Sequence, residues 1–145
     1  MITGYLPGGF DMLHVGHLNL LTAAATRCDR LIVGIATDES LRHATGHAPI
    51  VPQEERMALV AALRVVDAVV PDFDPDKRVA WQRDPFDILF ADDELRGTKA
   101  GNLLEEQMAE VGASVVYLPS AATTASPVLR RLLAQHPDPS ADSPA

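Results

Sequence analysis

Apolar runs and stretches of helical periodicity alternate along nearly the whole chain. Residues 2–6 are rich in β-formers and end at Pro7-Gly8-Gly9, the composition of a strand entering a tight turn. Residues 15–26 carry Leu18, Leu20, Leu21 and Ala24 at spacings that predict a helix packed on a sheet. The continuous run Leu31-Ile32-Val33-Gly34-Ile35-Ala36 is the pattern of a strand buried on both faces. Residues 42–51, rich in His, Gly and Pro, read as a loop. Pro52 then opens a helix predicted to reach residue 65, with Glu54 and Glu55 near the positive end of its dipole. Further strands are predicted at 68–70, 87–91 and 114–118, with helices at 76–82 and 103–111. Ser126-Pro127 has the form of a cap and first residue of a last helix.

Such alternation implies parallel strands joined by right-handed crossovers. The expected fold is α/β: a single Rossmann-like, doubly wound, five-stranded parallel sheet with helices on both faces. Sheets of this type bind ligands outside the carboxyl ends of their strands, where the strand order reverses. The loop after the first strand is therefore expected to face a ligand. A chain of 145 residues fits one domain, placed here at 1–134, with a core that needs no staples. Residues 135–145, mostly Pro, Asp, Ser and Ala, are expected to form a solvated, disordered tail.

Composition narrows the partners. The hydrophobic fraction of 47% is that of a globular domain. A net charge of -8 argues against a general nucleic-acid binder, whose affinity rests on Lys and Arg neutralising phosphates. A nucleotide stays open, because a small anion needs only a local pocket of donors. Cys28 stands alone, which excludes an intramolecular disulfide and a Cys-based zinc cluster. No apolar run is long enough to span a bilayer, and no basic segment leads into an apolar one at the N-terminus. No membrane partner is expected, and the cytoplasm is the expected compartment.

The first loop carries the least ordinary residues. Gly8 and Gly9 let the backbone approach a ligand closely. His14 and His17 are three apart at the mouth of a predicted helix, so their rings project to one side, and Gly16 keeps that side open. Helix-start amides together with two imidazoles make a site for a triphosphate. In nucleotidyl transfer the protein chiefly positions groups and stabilises charge on the transferred phosphoryl oxygens.

The ten residues Gly8-Gly9-Phe10-Asp11-Met12-Leu13-His14-Val15-Gly16-His17 resemble the signature Gly-x-Phe-Asp-x-Leu-His-x-Gly-His of the cytidylyltransferase-like nucleotidyltransferases. The form with Leu-His is similar to the glycerol-3-phosphate cytidylyltransferase and heptose-phosphate nucleotidyltransferase branch. The resemblance implies that His14 and His17 are catalytic and stabilise the α-phosphate in the transition state. Gly8, Gly9, Phe10, Asp11 and Gly16 would surround the nucleotide, with Asp11 orienting or helping to hold metal-bound phosphates. Asp38 matches a Thr-Asp-Glu stretch of the family, and Asp92-Asp93 stands where the family has Gly-Asp-Asp near substrate or metal. Pro52-x-x-Glu55-Arg56 resembles a helix start whose Arg reaches the nucleotide phosphates.

Three departures from the family pattern concern charge and hydroxyls. The Lys and Arg usual before the Pro-x-x-Glu-Arg helix are missing from Ala44-Thr45-Gly46-His47-Ala48-Pro49, leaving Arg42, His43 or His47 as substitutes. In place of the closing Arg-Thr-x-Gly-Ile-Ser-Thr-Thr, the chain keeps the hydroxyls of Thr123, Thr124 and Ser126 but has Ser120 where the Arg would be. Arg130 or Lys99 would recover part of that charge, and Ser126 serves equally as a helix cap. Gly9 replaces the usual Thr, Ser or Cys.

The expected reaction is transfer of a nucleotidyl group from a nucleoside triphosphate, with Mg²⁺, to a phosphorylated small molecule, releasing pyrophosphate. The resemblance puts CTP with glycerol 3-phosphate first and ATP with a heptose phosphate second; it also implies a homodimer. A catalytically weak nucleotide-binding module is the reading from another class, motivated by the missing cations.

Overall fold

The computed structural model describes residues 1–119. Five strands and five α-helices alternate: β1 (Thr3–Gly8), α1 (Val15–Ala25), β2 (Arg30–Ala36), α2 (Asp38–Thr45), α3 (Gln53–Ala61), β3 (Ala68–Asp72), α4 (Lys77–Arg83), β4 (Ile88–Asp92), α5 (Lys99–Val111) and β5 (Ser114–Leu118). A short 3₁₀ turn, Asp93–Leu95, follows β4. The strands form one sheet in the order β3-β2-β1-β4-β5, and every pairing is parallel. The order reverses beside β1. This is the expected doubly wound α/β sheet, with its switch point between β1 and β4.

Side-chain alternation along the strands divides the core in two. Leu6, Leu31, Val33, Ile35, Phe90 and Leu118 point to one face, where Leu21 and Ala24 of α1 and Val60 of α3 cover them. Tyr5, Ile32 and Leu89 point to the other, beneath Ala80 of α4 and Met108 of α5. Strands that bury both faces are written as unbroken apolar runs, which is why β2 was plain in the sequence.

Three boundaries depart from the sequence reading, each for a local reason. The first four of the ten residues read as a loop, 42–45, belong to α2. Its N-cap Thr37 accepts from Ser40 N, Asp38 and Glu39 sit in the first turn, and Gly46 closes it at φ 85°. It buries no residue, and its eight residues hold only Leu41 and Ala44 as apolar positions, too few to stand out in the sequence. The helix opened by Pro52 stops at Ala61, because Leu63, Val65 and Val66 turn back to pack on the core. The helix before β5 begins four residues earlier than predicted, where Thr98 caps it by accepting from Gly101 N. The predicted last helix at Ser126-Pro127 and the tail at 135–145 lie outside the described residues.

Candidate active site

At the carboxyl end of β1 the chain passes through residues 9–14 into α1. Phe10 and Met12 both take positive φ, 53° and 51°, which side chains other than glycine adopt at a cost of about 1–2 kcal/mol each. Burial of Phe10 and the fastening of Asp11 hold this conformation. The Phe10 ring lies where a Cβ on Gly8 would fall, 2.7 Å from its Cε2, so Gly8 is required at that point. The same ring meets His17, with centroids 5.4 Å apart.

His14 and His17 form the start of α1. Their rings stack at 3.8 Å between centroids, 21° from parallel. Nδ1 of His14 accepts from Gly16 N at 3.1 Å, and Nδ1 of His17 accepts from His14 N at 3.2 Å. This is a reciprocal capping box built from two imidazoles. Both Nδ1 atoms act as acceptors, so the proton of each neutral ring resides on Nε2. Gly16 is buried in the first turn, and its amide is engaged by His14 rather than standing open to an anion as the sequence suggested.

Arg56 and Asp11 occupy different roles from those expected. Arg56 is 1% exposed. Its Nε donates to Val51 O, its Nη1 to Gly9 O and Ala36 O, and its Nη2 to Asp38 Oδ1 at 2.6 Å. Instead of reaching a phosphate, the guanidinium clamps the ends of β1 and β2 to the starts of α2 and α3. Asp11 is buried too, and its two carboxylate oxygens accept from Ile50 N and Val51 N. It binds the first loop to the segment before α3 and belongs to no group of three or more potential metal-ligating side chains among the described residues. Asp38, expected at the substrate, is the partner of Arg56 with a half-exposed side chain.

Asp92 and Asp93 are exposed at the end of β4. Asp92 caps the 3₁₀ turn by accepting from Glu94 N, and Asp93 pairs with Arg96. Gly9 has a physical counterpart to the missing hydroxyl: a Cβ there would lie 3.2 Å from a methyl of Leu41, which fills the space over it. Thr123, Thr124, Ser126 and Arg130 lie outside the described residues.

Two clefts flank the tip of β1. One, of about 630 Å³, lies over β1 and β4 against α1 and α5, and is lined mainly by Leu6, Leu20, Leu89, Phe90, Leu103 and Leu104, with Asp92 at its edge. The other, of about 680 Å³, lies over β1, β2 and β3 against α2 and is more polar, with Thr37, Glu39, Ser40, His43, Asp72 and Asp74. Pro7, Pro75 and Lys77 line both. The sequence reading missed a buried network between them. Tyr5 donates its hydroxyl to Asp72 Oδ2 at 2.9 Å, and Lys77 Nζ donates to Asp72 Oδ1 at 2.8 Å and to Asp74 O at 2.9 Å. Burial, and then the Asp72 charge, push the Tyr5 hydroxyl well above its ordinary range. Gly34 makes room for it, since a Cβ would fall within clash distance of the Tyr5 hydroxyl and 3.1 Å from Asp72 Oδ2. A glycine in the middle of an apolar strand was the one signal of a close approach there.

Comparison with known proteins gives a consistent picture. The family model described as Cytidylyltransferase-like matches residues 5–128. The chain is 36% identical over 126 residues to the Bifunctional protein HldE of Rhodopseudomonas palustris strain BisA53, covering 83% of this chain and 25% of that protein. Its identity to the Bifunctional protein HldE of Bradyrhizobium diazoefficiens is 38% over 114 residues, 78% of this chain and 21% of the relative. The chain thus spans a quarter or less of the length of these relatives. Among solved structures, the lipopolysaccharide core biosynthesis protein from Thermoplasma volcanium GSS1 superposes with a TM-score of 0.70 at 27% identity, over 83% of this chain and 96% of that one. No helix among the described residues is long and apolar enough to cross a membrane.

Proposed function

The chain belongs to the cytidylyltransferase-like family of nucleotidyltransferases, and from that premise we propose that it transfers an adenylyl group from Mg·ATP to a sugar phosphate of the heptose type, releasing pyrophosphate. The observation that carries the chemistry is the stacked His14–His17 pair fixed on the first turn of α1. An oxygen of the acceptor phosphate attacks the α-phosphorus in line and forms the new P–O bond. The bond from that phosphorus to the bridging oxygen breaks, and its electron pair leaves with pyrophosphate. Charge grows on the α-phosphate oxygens, and the two Nε2–H groups donate to them. Fixed donors of this kind contribute roughly a hundredfold or more each to such a step.

The clefts suit the two substrates. The apolar one over β4 offers surface for a flat base, and the polar one over β2 and β3 offers hydroxyl and carboxylate partners for a polyol. No group of three or more metal-ligating side chains occurs among the described residues, so Mg²⁺ enters with the triphosphate, held by phosphates and water as is usual for this ion. Relatives named HldE and a solved neighbour titled for lipopolysaccharide core biosynthesis support a sugar phosphate over glycerol 3-phosphate, reversing the preference taken from the signature alone.

Calorimetric titration with Mg·ATP and Mg·CTP, followed by pyrophosphate release with a heptose phosphate or glycerol 3-phosphate, tests the proposal. The expected result is ATP binding and release with the heptose phosphate, reduced about a hundredfold or more in His17→Ala. Turnover of CTP with glycerol 3-phosphate would return the first-ranked reading, and failure to bind either nucleotide would overturn both.

A further inference from the structure

Phe73 is the one aromatic side chain among the described residues that stands mostly in the open, 55% exposed. It directly follows β3 and lines the polar cleft, whose lining also includes Gly8 and Gly9 at the entrance to the histidine loop. A lone exposed apolar residue calls for no explanation, but this one is held firmly. Phe73 O accepts from Ser40 Oγ at 3.2 Å, Asp72 O from Thr37 N at 3.1 Å and Asp74 O from Lys77 Nζ at 2.9 Å. The backbone is therefore fastened on both sides of the ring. The Arg83 guanidinium lies over the ring, 5.5 Å from its centroid, and is itself tied to Pro71 O at 2.6 Å. Phe73 and Arg83, with Val79 and Ala80, also line a recess of only about 10 Å³, too small for a ligand. The room for one is in the cleft of about 680 Å³.

We propose that Phe73 is the platform on which the sugar ring of the acceptor lies, and so the residue that separates cyclic sugar phosphates from open-chain ones. Resting on the transferase reading, this adds a specificity residue that the signature does not contain. The C–H face of a sugar ring carries partial positive charge and packs on the negative face of an aromatic ring. Its hydroxyls need polar groups close beside that ring, and Glu39, Ser40 and Asp74 line the same cleft.

Glycerol 3-phosphate has three carbons and no ring face, so a flat support gives it little. The nucleotide is assigned to the apolar cleft, which Phe73 does not line, so its binding is expected to be independent of that ring.

The test uses the whole chain and compares wild type with Phe73→Ala and Phe73→Trp, exposed-site variants that leave the core untouched. Each is titrated calorimetrically with Mg·ATP, and with a heptose phosphate and glycerol 3-phosphate, both without and with a non-hydrolysable ATP analogue. KM and kcat for the heptose phosphate are read from pyrophosphate release. Expected for Phe73→Ala is roughly five- to thirtyfold weaker binding and higher KM for the heptose phosphate, with kcat within about twofold. Glycerol 3-phosphate and Mg·ATP affinities stay within about threefold, and Phe73→Trp restores heptose-phosphate binding. Equal heptose-phosphate affinity in wild type and Phe73→Ala would overturn the proposal, as would wild type that binds none at about 10 mM. A loss confined to Mg·ATP would put the base on the ring and overturn it too. Absence of Mg·ATP binding by the wild type counts against the transferase reading, while the heptose-phosphate titration still decides the role of Phe73.

Discussion

On the β2–β3 side of β1, the loops that rim the cleft are fastened by charge. Arg56 ties three carbonyls and Asp38 together, Asp11 holds two amides of the facing segment, and Tyr5, Asp72 and Lys77 form a chain beneath. The β4 side has almost none of this. Its walls are leucines and a phenylalanine, Leu103 is 53% exposed, and its acidic pair makes only surface contacts. Directional bonds fix a shape at folding, whereas apolar walls supply area that many flat groups can use. The polar half is thus built to discriminate and the apolar half to accommodate.

Substitutions can test that contrast. The largest effect is expected from Arg56→Met, which removes the donors of three partly buried carbonyls and empties a fully enclosed side-chain site, lowering stability by about 3 kcal/mol in urea unfolding. The half-exposed Asp38 adds little to that cost. Leu103→Ala on the apolar side should stay below about 1 kcal/mol in the same measurement; equal losses at the two positions would erase the comparison.

Tyr5→Phe comes next, costing about 1–2 kcal/mol near neutral pH by leaving Asp72 one partner short. Its pH dependence has a defined sign. The unfolded chain releases the Tyr5 proton near 10.0 and the folded chain only above that, so the tyrosine's contribution is whole below pH 10.0 and falls as pH rises beyond it. The lead of wild type over Tyr5→Phe should therefore hold up to about pH 10 and shrink above it in paired denaturation curves. The smallest effect is expected at the rim: Gly9→Ser should cost less than about 1 kcal/mol through its contact with Leu41, and the cost should be relieved in a cycle with Leu41→Ala.

Much of the fold was legible because its strands are apolar on both faces and because Gly112 marks a turn where the chain turns, whereas Pro7 and Gly8, read as a turn, pair with β2 as the last residues of β1. The pair His14 and His17 was legible from spacing alone. α2 was not, since eight mostly polar residues with only Leu41 and Ala44 apolar make too short a period to notice, although Thr37 and Gly46 bracket it with cap chemistry. Arg56 misled because an arginine is rarely enclosed unless paired, and its partners Gly9, Ala36 and Asp38 lie just past β1, at the end of β2 and at the start of α2, far from it in the sequence. The Tyr5–Asp72 bond joins positions 67 apart in the chain, beyond any local pattern.

The imidazole caps on α1 carry a kinetic consequence. Two side chains that would otherwise explore several rotamers are immobilised by the same amides that start the helix. Their loss of rotational freedom occurs once, when the chain folds, and is not repeated at each encounter with a nucleotide. For the transfer proposed above, turnover would then begin from rings already in register, and loosening of the first turn of α1 would disengage both donors together rather than one at a time.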